Sequence, residues 1–212
     1  MSHTSKHIEI GANVLRQEAE ALLELSRRMD QAFDRAVELI LSRKGKVIIT
    51  GLGKSGHVGR KIAATLASLG TPSVFLHPTE AYHGDLGVVD PQDTCIAISN
   101  SGATDEVIRL IPSLKLLGVP VIGICVNRST DLGKVCDVVL ETGVIKEACS
   151  LNLAPTTSTT VAMALGDSLA VALVNAKGFT ERDFAFFHPG GTLGRKLLTR
   201  VADVLLPPEK VG

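Results

Sequence analysis

The sequence lacks a charge surplus: 212 residues carry 22 acidic and 22 basic side chains, so no basic face is offered to a nucleic-acid backbone and no cationic face to a membrane. It lacks a leader-like stretch too. Residues 1–25 hold Lys6, Glu9, Arg16, Glu18, Glu20 and Glu24 without an apolar core, which reads as neither a signal peptide nor a span. The longest apolar run, Val161 to Ala176, is broken by Asp167 and Ser168 and reads as a buried helix. Cys95, Cys125, Cys136 and Cys149 have no C-x-x-C spacing, and the first two sit in strand-like runs. Reduced core thiols of a cytoplasmic protein are therefore expected, not a redox site. Internal repeats, low-complexity tracts and long linkers are missing as well. At this length one well-buried domain is the frame.

What is present is an alternation of strands and helices. Leu15, Ala19, Leu22, Leu25 and Met29 recur at helical steps, and Phe33, Val37 and Leu41 continue the period beyond Asp30. Strands are then expected over 47–50, 73–76, 94–98, 119–125 and 137–140, with helices over 58–69, 106–117 and from about 158 to 177. The strands are short and apolar with little alternation, as when both faces of a sheet are covered. The expected fold is α/β: a three-layer αβα sandwich around a doubly wound, flavodoxin-like parallel sheet of about five strands, with N-terminal helices. Residues 1–200 form the domain. Residues 201–212, with Pro207-Pro208, read as a tail or the start of a further region.

Gly51-Leu52-Gly53-Lys54-Ser55-Gly56-His57 lies between the first strand and its helix. Such a turn exposes N–H groups at the positive end of a helix, a ready anion site. A dinucleotide site would require an acid about 20 residues on, at the end of the next strand. Here that strand ends in His77-Pro78, and the first acid is Glu80 in the loop beyond. A Walker loop requires glycine five positions before Gly53, where Ile48 stands. A smaller phosphorylated ligand remains, beside the plainer reading that the glycines merely let a helix pack closely on a strand. Polar loops at 77–87 and 99–104 fall at the same strand ends, where ligands of such sheets gather. Pro155 to Thr160 precedes the last helix, and its hydroxyls either cap that helix or add donors to the pocket, with capping the plainer role.

Ser99-Asn100-Ser101-Gly102-Ala103-Thr104 forms a neutral, donor-rich cradle for a phosphate monoester. Paired with the first turn, it resembles the SIS (sugar isomerase) domain, whose corresponding hydroxyls hold a sugar phosphate. The resemblance carries phosphate contacts to Ser55, Ser99, Asn100, Ser101 and Thr104. It extends over nearly the whole chain: His77-Pro-x-Glu80-x-x-His83-Gly-Asp85-Leu-Gly87, Lys146-Glu-Ala-Cys149, Leu153-Ala-Pro-Thr156 and His188-Pro-Gly-Gly-x-Leu-Gly-Arg195 are similar to motifs of the arabinose 5-phosphate isomerases. That family interconverts arabinose 5-phosphate and ribulose 5-phosphate for Kdo and lipopolysaccharide synthesis. Most members carry a CBS-domain pair after the isomerase domain, and the present sequence stops where that pair would begin. The resemblance implies a cytoplasmic homotetramer with active sites near subunit interfaces. It implies no required cofactor, and zinc at His77 only as an inhibitor or adventitious ligand.

The resemblance also implies catalytic roles for Lys54, Glu106, Glu147 and His188, and substrate contacts at Gly70, Thr71, Glu80 and His83. Aldose–ketose isomerisation requires a base and a charge that stabilises an enediolate. Lys54 suits the charge, or is a plain surface lysine. Glu106 suits the base, or is a first-turn acid complementing a helix dipole; as a base it needs desolvation to offset that dipole. His188 is an acid/base or ring-opening group, or a histidine packed among Phe184, Phe186 and Phe187. Glu147 affects activity, or is a solvated ion pair with Lys146. Three functions stay open: this isomerase, a phosphosugar sensor without turnover, and an isomerase of another phosphosugar.

Overall fold

The computed structural model describes residues 3–191 together with Gly194 and Lys196. A single acid divides the N-terminal apolar period in two. Asp30 accepts from Ala32 N–H at 2.9 Å and so starts a new helix, leaving α1 (His3–Arg28) and α2 (Gln31–Leu41) where one continuous period was visible. The expected core stripe of α1 is buried only at its end. Leu25 is enclosed, whereas Leu15 is 70% exposed and Met29 43%.

Five strands follow: β1 (Val47–Gly51), β2 (Ser73–Phe75), β3 (Thr94–Ile98), β4 (Val121–Cys125) and β5 (Val138–Glu141). All pair in parallel in the order β2-β1-β3-β4-β5, the doubly wound arrangement expected. Alternate residues feed two cores. Ile49, Ile96, Ile98, Ile122 and Ile124 pack with α2, with α3 (Gly53–Ser68) and with α7 (Thr157–Lys177). Ile48, Cys95, Ala97 and Val121 pack on the other face with α5 (Asp105–Leu116) and α6 (Asp131–Val135). α7 is long and apolar enough to cross a membrane, yet Val161, Leu165, Leu169 and Leu173 sit fully inside the first core. Its Gly166 lies so close to α3 that a Cβ would come within 2.4 Å of Ile62.

Three short helices were not legible beforehand: α4 (Pro78–Tyr82), α6 and α8 (Glu181–Phe187). α3 begins at Gly53 rather than Val58, which turns the glycine-rich segment from loop into helix. The four cysteines are free, and burial pushes the Cys136 thiol up to about 12. The tail 201–212 and the end of the His188 motif, including Leu193 and Arg195, lie outside the described residues.

Candidate active site

The strand order reverses between β1 and β3, and their carboxyl ends open the crevice where such sheets hold ligands. At Gly56 a Cβ would lie 2.7 Å from Gly51 O, so the packing role of that glycine is real. Gly53, at φ +56° with open space around it, serves the turn. The α3 N-cap, Leu52, makes no side-chain cap and the first turn carries no acid, so its leading N–H groups and dipole face the crevice unopposed. Lys54 sits in that first turn, not in a tight loop. It is exposed and makes no ion pair among the described residues. Ser55 is half-buried and shares a narrow cleft with Asn100, Ser158 and Thr159, floored by Ile98 and Ile124.

The 99–104 loop leads from β3 into α5, whose N-cap Thr104 likewise makes no cap bond. Ser99, 2% exposed, instead has its hydroxyl 2.7 Å from that of Thr104. Ser101 is exposed, and its Oγ accepts from Ala103 N–H at 3.3 Å. The N–H groups of Asn100, Ser101 and Thr104 have no partner among the described residues and remain for an anion. The Asn100 side chain is turned inward, bonded to Thr142 and Val144. Glu106, second in α5, is exposed.

Glu147 is not paired with Lys146. Its Oε2 accepts from Thr156 N–H at 2.8 Å, Thr156 Oγ1 at 3.1 Å and Ser158 N–H at 3.1 Å, capping α7 from nine residues away. Burial pulls its pKa up, but the bonds from Ser158 and Thr156 prevail and hold it below the usual carboxylate range. Capping by the Thr156–Thr160 hydroxyls alone is thereby corrected. Thr156 Oγ1 is taken up by Glu147 and Ala148 N–H, and Ser158 and Thr159 line the cleft. Neither Glu147 as a remote cap nor Thr142 carries a sequence signal, since both depend on loops that only the fold brings together.

After β2, His77 lines a hollow with Gly53, His57, Arg60 and Phe75, and its Nδ1 is buried without a partner among the described residues. The Arg60 guanidinium lies 4.3 Å from the Phe75 ring centroid. Glu80 on α4 and His83 at its C-terminus are exposed. Among the described residues no three His, Cys, Asp or Glu side chains converge as a metal site would require.

Gly70, Thr71 and His188 are elsewhere. Gly70 (φ +80°) follows the far end of α3, under the Phe179 ring. Thr71 Oγ1 accepts from Lys177 Nζ at 2.7 Å, and burial lowers the Lys177 pKa. Phe179 stacks on Phe187 at 6.1 Å, which places His188 at this same end. The His188 ring lies 3.9 Å from that of Phe184, and Nδ1–H donates to Phe184 O at 2.8 Å. Since a carbonyl only accepts, the Nδ1 position carries a proton, and in the neutral tautomer that this bond selects Nε2 keeps its lone pair. Aromatic packing and a usable imidazole therefore coexist.

A parallel α/β sheet whose switch point gathers uncapped helix starts, hydroxyls, a lysine and a held carboxylate offers an anion site of the kind that a phosphomonoester fits. The family model of the SIS domain matches residues 40–172, and the chain belongs to that family. It is 55% identical over 192 residues to an arabinose 5-phosphate isomerase, KpsF, of Escherichia coli O6:H1, covering 90% of the chain and 59% of the relative. It is 51% identical over 205 residues to the KdsD isomerase of Pseudomonas aeruginosa, 97% of the chain and 63% of the relative. The chain thus spans about three fifths of the curated relatives it matches. An E. coli CFT073 protein, c3406, solved in complex with arabinose 5-phosphate, superposes with a TM-score of 0.85 at 42% identity, over 89% of this chain and all of that one.

Proposed function

We propose that the chain is a cofactor-free aldose–ketose isomerase that interconverts D-arabinose 5-phosphate and D-ribulose 5-phosphate in the cytoplasm, supplying Kdo for lipopolysaccharide. The observation that carries this is the convergence of the α3 start, the 99–104 loop and the Glu147 segment on one crevice. The identity to KpsF and KdsD and the sugar-phosphate complex of c3406 support the choice of sugar.

In this reading the phosphate is bound by the 99–104 N–H groups with Ser55, Ser99, Ser101 and Thr104, while Glu80 and His83 contact the sugar. Proton abstraction at C2 of the aldose leaves an enediolate whose negative O1 faces Lys54; the O2 hydroxyl proton passes to O1, and return of the abstracted proton to C1 gives the ketose. Glu106 is the base. Glu147, already holding three donors with a lowered proton affinity, organises the α7 end instead of taking the proton. His188, Gly70 and Thr71 come from a neighbouring copy, with Nε2 of His188 serving ring opening. Zinc at His77, whose Nδ1 has no partner among the described residues, would be an inhibitory or adventitious ligand outside this sequence of steps, since no three donors converge there among the described residues. Assembly, as a homotetramer, is supported by exposed apolar side chains, among them Ile8, Leu15, Ile145, Leu153 and Phe186.

NMR of metal-depleted protein with ribulose 5-phosphate in deuterated water tests the reading. Arabinose 5-phosphate formed at catalytic rates with deuterium at the exchanging carbon is expected. Folded protein that binds the sugar without product would refute the activity, and preference for a six- or seven-carbon phosphate would refute the substrate.

A further inference from the structure

The phosphate cradle is anchored through one side-chain amide. Asn100 Oδ1 accepts from Thr142 Oγ1 at 2.6 Å, and Asn100 Nδ2 donates to Val144 O at 3.0 Å. Val144 O can only accept, which places Nδ2 on it and leaves Oδ1 to the Thr142 hydroxyl, so that hydroxyl donates to Asn100 while also accepting from Val144 N–H at 3.4 Å. Thr142 is 1% exposed. Behind it, Arg28 at the end of α1 donates from Nη2 to Thr142 O at 3.0 Å. Its guanidinium fills the space beside Gly143, whose φ is +64° and whose Cβ position would lie 2.2 Å from it. Backbone bonds from Val126 N–H to Asn100 O at 2.7 Å and from Gly143 N–H to Val126 O at 3.0 Å tie the same segments. A brace therefore runs from α1 through Thr142 to the loop that carries the N–H groups of Asn100, Ser101 and Thr104, which have no partner among the described residues.

We propose that Thr142, backed by Arg28, is a positioning residue for phosphate binding: through Asn100 it holds the 99–104 loop with its N–H groups aimed at the ligand. This rests on the phosphosugar reading of the crevice. Without the hydroxyl, Asn100 Oδ1 loses its donor in a buried place, the amide is free to turn, and the loop must be ordered by the ligand. Such a cost falls equally on the bound substrate and its transition state, so affinity drops while the chemical step is unchanged.

The test compares the full chain with Thr142→Val, which keeps the shape, and Thr142→Ser, which restores the hydroxyl. Inorganic phosphate binding by calorimetry and turnover of arabinose 5-phosphate are both measured. Thr142→Val is expected to weaken phosphate binding about tenfold and raise KM by the same factor, with kcat within about twofold and recovery in Thr142→Ser. Unchanged phosphate affinity in Thr142→Val overturns the proposal, as does a fall in kcat alone. If Thr142→Val does not fold, Arg28→Gln reads the same brace, with a loss of about threefold expected and none overturning it. Wild-type protein that binds phosphate but does not isomerise the sugar refutes the activity, while the phosphate comparison still decides the brace. Wild-type protein that binds no phosphate refutes both.

Discussion

The variants Lys54→Ala and His188→Ala, each expected to be inactive in the proposed reading, should restore activity when mixed within one assembly. Lys54 lies in the first turn of α3, and His188 neighbours the Phe179–Phe187 stack over Gly70, beyond the last turn of α3. The 16 residues of α3 span about 24 Å, several times the reach of either side chain. One chain therefore cannot bring the two groups to one sugar. In co-expressed, doubly tagged assemblies of equal composition, about half of the neighbours supply each intact residue, so about one quarter of the sites are complete. Turnover of arabinose 5-phosphate should recover to about a quarter of wild type, against near zero for each variant alone. Verified mixed assemblies without recovered turnover would refute the two-copy site, because a site built within one chain is broken in every chain of the mixture.

Glu147→Gln should lower stability by about 1–3 kcal/mol through weakened acceptance of the α7 N–H groups, read as a drop in Tm. Because the folded carboxylate sits below its ordinary range, that stabilisation is present above the ordinary pKa and lost as pH falls through the lowered value; the Tm gap to wild type should close in acid, and a gap independent of pH refutes the cap. Asp93, 1% exposed, accepts from Lys46 N–H and Nζ and from Asp90 N–H, each at 2.8 Å. Asp93→Ala should cost about 3–5 kcal/mol in denaturant titration, and a loss under about 1 kcal/mol would show that the pair is not a structural tie. Gly56→Ala forces the α3 turn away from Gly51 and should cost about 1–3 kcal/mol while weakening phosphate binding; unchanged affinity would mean that the turn is not part of the cradle.

The sheet was legible because its signals are local. Runs such as Cys95–Ile98 are apolar throughout, and the structure places β3 on them with Thr94 at its start. The short helices escaped because a five-residue element such as Asp131–Val135 is too brief for a hydrophobic period. On α1 the period predicts the helix but not what covers it: Leu15 lies on a helical stripe, yet no buried partner encloses it among the described residues. A stripe shows that something is covered, never by which surface.

The same distinction separates the two carboxylates. Glu106 and Glu147 read alike in sequence, each an acid near a hydroxyl-rich loop. α2 and α8 are capped by Asp30 and Thr180, which immediately precede them, whereas α7 takes its cap from Glu147. A carboxylate that satisfies a helix start has its charge stabilised there, so taking up a proton would cost those bonds. Glu106 has no such commitment, and its drawback is exposure. In the proposed assembly a water-poor environment for it would come from the neighbouring copy, the one that brings His188 across. In the proposed reading the base and the imidazole thus depend on one event, the docking of a second copy, and a monomeric variant that keeps its fold should bind phosphate while losing turnover.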